Sequence, residues 1–238
     1  SVVGMPLAEA SKLMKGVENT TVTVKVLRGK EVKTFVINRM KVTFSNVEYS
    51  VVNHTGNSYG YIKLRSFMDD KADAKIRAAV IDLKSQGVKG FIIDLRGNGG
   101  GLLNQAVSIG SIFMGKQKIL SVKDLDAKQN KDYFGNFEAV TDLPLVALID
   151  GGSASASEIL SGAIQDHRRG WVVGDRSFGK GTVQAPFQFD ASGKVVLFRT
   201  IQRFYQPSGR TNQIQGIHPD FNVDPFPGAT AEDRFSIR

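Results

Sequence analysis

Apolar residues recur along this chain in two rhythms, short unbroken runs and runs spaced three or four apart, and their alternation predicts strands separated by helices. Gly90-Phe91-Ile92-Ile93-Asp94-Leu95 and Leu145–Ile149 are nearly continuous apolar runs, the mark of strands buried on both faces. Trp171-Val172-Val173 is a third such run, and Tyr59–Leu64 a strand that enters the same core. Helices are predicted at 71–86, where Ile76, Val80 and Leu83 share a face and Gly87 ends the run, around Asn104 onward, and from Ala156, where Ile159, Leu160, Ala163 and Ile164 recur. Earlier, Ala8, Ala10, Leu13 and Met14 predict a short helix ended near Gly16, then strands over 21–26 and 32–37 turning at Arg28-Gly29-Lys30. Residues 41–57 predict a strand pair turning at Thr55-Gly56-Asn57. After a run at 119–122 the chain reads as polar and irregular to Asp142, with Phe134 and Phe137 either anchoring a loop over a cleft or filling the core. Residues 194–200 and 202–205 predict two more strands, and Pro207-Ser208-Gly209-Arg210 a turn. The expected class is α/β, with parallel strands and covering helices.

Composition narrows this only a little. The 238 residues, 41% hydrophobic, suffice for one substantial core and a smaller unit. A net charge of +8 admits nucleic acid, but the basic residues are scattered, and the one cluster, His167-Arg168-Arg169, reads as a solvated helix end. No apolar run approaches the roughly 20 residues of a membrane-crossing helix. With no cysteine, disulfides and thiolate chemistry are absent. The chain does not start with methionine or with a signal-like stretch, and reads as a fragment of a longer precursor.

The chemistry concentrates between 145 and 184. A strand, Gly151-Gly152, the serines 153 and 155 and then a helix make a turn that exposes a hydroxyl beside free backbone N–H groups, as nucleophile elbows do. Those amides and the helix dipole favour negative charge and suit an oxyanion. An ordinary N-cap, with Glu158 in the first turn, explains the same letters. Gly174, Gly179 and Lys180 match a Walker A loop, but position 181 is Gly where the metal-binding hydroxyl belongs. The alternative makes Lys180 the general base of a serine, for which its ordinary pKa near 10.4 has to fall to about 7 to 8 by burial. Phe178 could supply that desolvation, and Gln184 a neutral hydrogen-bond partner. On an ideal strand, four residues span about 13 Å, so Gly179 and Gly181 have to bend the chain back. The run 96–103, Arg-Gly-Asn-Gly-Gly-Gly-Leu-Leu, fails the dinucleotide fingerprint, which needs glycine at 102. Of the three histidines, His167 lies about 18 Å along the helix from Ser155, while His54 and His218 could reach it only through the fold. Asp166 is expected to end the helix or to pair with Arg168 or Arg169.

Ser-Ala-Ser-Ala-Ser-Glu-Ile at 153–159 followed by Phe-Gly-Lys-Gly-Thr-Val-Gln at 178–184 resembles the carboxyl-terminal processing, or tail-specific, proteases. The resemblance implies a ClpP/crotonase-like protease core and a serine endopeptidase in which Ser155 is the nucleophile, Lys180 the base and Gln184 its support. It further implies an oxyanion hole from Gly100 or Gly101 together with Ala156, because 94–103 resembles the family's Asp-Leu-Arg glycine loop. No metal or cofactor is implied. The expected partner is a protein or peptide with an accessible C-terminus, cleaved near it, not nucleic acid; a homo-oligomer is allowed, and the location implied is extracytoplasmic, periplasmic or envelope-associated. Residues 1–40 resemble the back half of a PDZ domain, 41–223 the protease core, and 224–238 a trimmed tail. Gly216-Ile217-His218-Pro219-Asp220 resembles a shortened closing motif. The rival from another class is a catalytically silent binding module on the same core, or a fragment inactive for want of an intact PDZ domain.

Overall fold

The computed structural model describes residues 2, 4–40, 45–124, 130–188 and 196–223, and the chain divides into two compact units at Ser45/Asn46. The first unit holds α1 (Leu7–Met14) and an antiparallel hairpin of β1 (Thr21–Arg28) and β2 (Glu31–Asn38). Gly29, with φ of 64°, makes the hairpin turn. Arg39 ties the pieces together: its guanidinium donates to the α1 carbonyl of Met14 at 2.8 Å and to Thr21 O at 2.9 Å. A cation on the open carbonyls at a helix end satisfies acceptors that the helix cannot.

Among its described residues the second unit holds a six-stranded sheet ordered β12-β9-β8-β5-β4-β3 and a four-stranded antiparallel sheet ordered β10-β11-β6-β7. In the first, β3 (Val47–His54) and β4 (Asn57–Leu64) form an antiparallel hairpin, and β4, β5 (Phe91–Asp94), β8 (Leu145–Ile149), β9 (Trp171–Gly174) and β12 (Phe221–Asn222) run parallel. Parallel neighbours need a crossover. These are α2 (Ala72–Ser85) between β4 and β5, and α4 (Ala156–Asp166) between β8 and β9, while α3 (Leu103–Met114) follows β5. The apolar runs at the sheet centre are its core: Phe91, Ile93, Leu145, Ala147, Ile149 and Val172 are all buried. Ile76, Ala79, Val80 and Leu83 of α2 are buried with them, as their helical spacing requires. The second sheet comprises β6 (Lys118–Asp124), β7 (Lys131–Phe134), β10 (Thr182–Gln188) and β11 (Val196–Tyr205).

Several expectations need correction. The strand pair expected within 41–57 is instead β3 paired with the strand that enters the core, and 41–44 lie outside the described residues. The segment expected to be irregular contains β7, paired with β6, and its two phenylalanines part company. Phe134 is exposed on the strand, whereas Phe137 packs against the core with Arg77 5.0 Å above its ring. The two strands expected beyond 194 are one, β11. Of His167, Arg168 and Arg169, expected as a solvated helix end, only Arg168 is exposed. Arg169 donates to the carbonyls of Phe113, Thr141 and Leu143 at 2.7 to 3.0 Å, and His167 Nε2 meets Lys118 O at 2.6 Å. Asp166 pairs with Arg210 at 2.9 Å and accepts Ser208 N–H, fastening α4 to the 207–210 turn rather than to its own neighbours. The tail at 224–238 lies outside the described residues.

Candidate active site

The site grows from the loops that leave β5, β8 and β9, three successive parallel strands of the sheet. Where parallel strands end together, their loops converge on one crevice. Asp150 and Ser153 lock the first two loops. Asp150 Oδ1 accepts Gly97 N–H at 2.8 Å and Gly152 N–H at 2.9 Å, and Ser153 Oγ donates to Leu95 O at 2.9 Å. Ser153, a candidate cap in the sequence, is therefore a buried cross-link, and the N-cap of α4 is Ser155.

Ser155 has φ of 56° and ψ of −111°, a conformation that a non-glycine residue adopts only under constraint, at a cost of about 1–3 kcal/mol. The constraint is Glu158. Its carboxylate is fully buried and accepts four hydrogen bonds: from Ser155 N–H at 2.7 Å, Lys180 N–H at 2.9 Å, Gly179 N–H at 2.7 Å and Ser177 Oγ at 2.6 Å. One side chain thus fixes the backbone at both residues of the expected pair. Its sequence signal was the acid at the third helical position, which reads as half of a capping box and gives no hint of the lysine loop.

That loop is held from behind by 211–217. Asn212 Nδ2 donates to Lys180 O at 3.1 Å, Gln213 Oε1 accepts Gly181 N–H at 2.8 Å, and Ile214 N–H donates to Gly179 O at 2.8 Å. Gly179 has φ of 93°, whereas Gly181, expected to bend the chain with it, is not among the positive-φ glycines. Lys180 is then followed by β10 rather than a helix, so the phosphate-capping helix of a Walker A loop is lacking.

Ser155 and Lys180 line one cavity of about 430 Å³ with Ser66, Met68, Gly99, Gly100 and Gly101. No hydrogen bond joins the serine hydroxyl to the lysine amine. Phe178, expected to desolvate the amine, is 63% exposed. Gln184 is also exposed, on β10 beside a bulge between Val183 and Gln184, and does not line the cavity. The histidines stay apart: His54 is at an exposed hairpin end, His218 is exposed, and His167 is held by Lys118 O.

The glycine loop lies directly on the Ser155 turn. A Cβ on Gly100 would sit 2.8 Å from Ser155 Cβ and 2.9 Å from Ala156 N, so only glycine fits. Gly100 N–H donates to Asn98 Oδ1 at 2.9 Å, whereas Gly101 N–H and Ala156 N–H have no partner among the described residues. Gly101 lines the cavity beside Ser155, and Ala156 is the first residue of the helix that follows it.

Comparison with known proteins assigns the chain to a family. Residues 58–223 match the family model described as Peptidase family S41. The chain is 36% identical over 224 residues to a carboxyl-terminal-processing protease of Synechocystis sp., covering 92% of this chain and 51% of that protein. It is 36% identical over 234 residues to a carboxy-terminal-processing protease of Bartonella bacilliformis, covering 95% of this chain and 52% of that one. The chain therefore spans about half the length of these curated relatives. A solved structure, the photosystem II D1 C-terminal processing protease, superposes with a TM-score of 0.68 at 30% identity, covering 94% of this chain and 61% of that one. With a sheet whose strand ends converge on the Ser155 turn and a family match across most of the second unit, the chain belongs to peptidase family S41.

Proposed function

We propose that this chain is a serine endopeptidase that cleaves protein chains near their C-termini with Ser155 as nucleophile and Lys180 as general base. The observation that carries the reading is that a serine on a strained strand-to-helix turn and a lysine from a separate loop line the same cavity. In the proposed reaction Ser155 Oγ attacks the scissile carbonyl carbon while the neutral Lys180 amine takes its proton. The resulting oxyanion is held by Ala156 N–H and the Gly100/Gly101 loop. The C–N bond then breaks, Lys180 returns the proton to the leaving amine, and water hydrolyses the acyl ester by the same steps. Gln184 is assigned to hold the lysine amine, a contact made when the cavity is occupied, because catalytic hydrogen bonds of free enzymes are often loose.

The C-terminal preference is drawn from the relatives, described as carboxyl-terminal-processing proteases, and the extracytoplasmic location is what the family resemblance implies. No helix among the described residues is long and apolar enough to cross a membrane. Residues 1–40 are assigned to the back half of a PDZ-like domain on their helix and hairpin. The substrate is a protein or peptide with an accessible C-terminus, and no metal or cofactor takes part. A silent binding module is the second reading, favoured by the absence of a hydrogen bond between the Ser155 hydroxyl and the Lys180 amine and by the exposed Gln184.

Ser155→Ala and Lys180→Ala decide between them. Each is expected to lower kcat/KM on a peptide substrate by on the order of 10⁴-fold or more while leaving peptide binding intact. Wild-type cleavage by either variant would remove the proposed pair, and binding without cleavage by the unmutated chain would favour the silent module.

A further inference from the structure

We infer that Asn98 is the positioning residue of the glycine loop, and that it selects Gly101 N–H rather than Gly100 N–H as the loop's donor to the oxyanion. The inference rests on the Ser155 reading above and deepens it.

Asn98 is wholly buried and bonds in three directions. Its Oδ1 accepts Gly100 N–H at 2.9 Å, and its Nδ2 donates to Leu64 O, the last residue of β4, at 2.9 Å. These two bonds fix the orientation of the amide, since the flipped group would face donor to donor and acceptor to acceptor. Its main-chain oxygen accepts Ala154 N–H at 3.0 Å and Ser157 Oγ at 2.8 Å. Those two residues flank the Ser155-Ala156 pair, so Asn98 joins β4, the glycine loop and both sides of the nucleophile.

Its effect on the loop follows from peptide planarity. Gly100 N–H is spent on the side chain and cannot serve a substrate. The Gly100 carbonyl accepts Phe67 N–H at 2.9 Å, and in a trans peptide the N–H of Gly101 points the opposite way. That N–H has no partner among the described residues, and Gly101 lines the cavity with Ser155. Because a Cβ on Gly100 would already touch Ser155 Cβ and Ala156 N, the loop has no slack, and its placement passes directly to the nucleophile.

Asn98→Asp keeps the shape but sets an acceptor against Leu64 O and a charge beside the hole. The expected result is a fall in kcat of about 10²-fold, the size of losing one oxyanion donor, with KM within about threefold. Affinity for a peptide aldehyde, whose hemiacetal on Ser155 needs the same donors, falls by a similar factor, while affinity for the matching product peptide is unchanged. A rise in KM at constant kcat, or unchanged aldehyde affinity, overturns the proposal. Should the variant not fold, the structure of the unmutated chain with the aldehyde decides: the hemiacetal oxygen lies on Gly101 N with Gly100 N–H still on Asn98. An adduct on Ser155 with its oxygen on Gly100 N defeats this inference alone. No adduct on Ser155, with Ser155→Ala still active, defeats the serine reading and this inference with it.

Discussion

Glu158 shows how much can rest on one side chain. Its two oxygens hold the backbone at 155 and 180 with no cation as partner among the described residues. Gln at this position keeps the shape and one acceptor but turns an NH₂ toward two of the four donors. Two hydrogen bonds to a charged group are lost, each worth about 1.5–3 kcal/mol. Glu158→Gln is therefore expected to lower unfolding free energy by about 3 kcal/mol and kcat by on the order of 10- to 100-fold, with KM little changed. Denaturant titration and steady-state kinetics check both, and an unaltered kcat would show that the clamp does not set the pair. The serine and lysine stood out in the sequence only through the two motifs at 153–159 and 178–184 taken together, since either stretch alone reads equally as a cap or a plain loop. Glu158 was legible only as a cap, because its second pair of partners comes from a loop that folds back from about 20 positions away.

Elements buried on both faces were legible because a continuous apolar run has no other stable place: β5, β8 and β9 stand close to where their runs predict. The strands of the second sheet were not. β7 is partly polar and largely exposed, and its four residues pair only because β6 offers an edge, a tertiary fact with no local letter pattern. The loop that backs the lysine was equally hidden. Within it Ile214 has φ of 70° and is 78% exposed, a conformation that costs a β-branched residue about 1–2 kcal/mol. Asn tolerates that region, so Ile214→Asn is expected to raise the melting temperature by about 2–4 °C. A scanning calorimetry trace with a lowered midpoint would show instead that the isoleucine side chain supports the loop.

Stability across pH is a property of the assembled sheet, and one cluster between β4 and β5 sets its shape. Asp94 accepts from Tyr61 OH at 2.6 Å and from Arg96 Nη2 at 2.8 Å, with Lys63 at 3.1 Å. Burial opposes its charge, but the bonds from Arg96, Tyr61 and Lys63 outweigh that and hold its carboxyl well below the usual carboxylate range. A depressed acid stabilises the fold above its unfolded pKa of about 3.9, and that contribution is lost as pH falls further. Burial and the neighbouring Asp94 push Tyr61 up to about 12. A raised pKa stabilises the fold below the unfolded value of about 10, and the contribution is lost as pH climbs toward the folded one. Urea midpoints are thus expected to hold level through neutrality and fall at both ends. Tyr61→Phe removes the alkaline step, and an unchanged alkaline limb in that variant would assign the step elsewhere.

Glu158 fastens the frame around the cavity through the main-chain N–H groups of residues 155 and 180. On the proposed reading, deleting either side chain spares this clamp, and a Ser155→Ala protein that no longer cuts is expected to trap its clients whole, long enough for them to be recovered and identified.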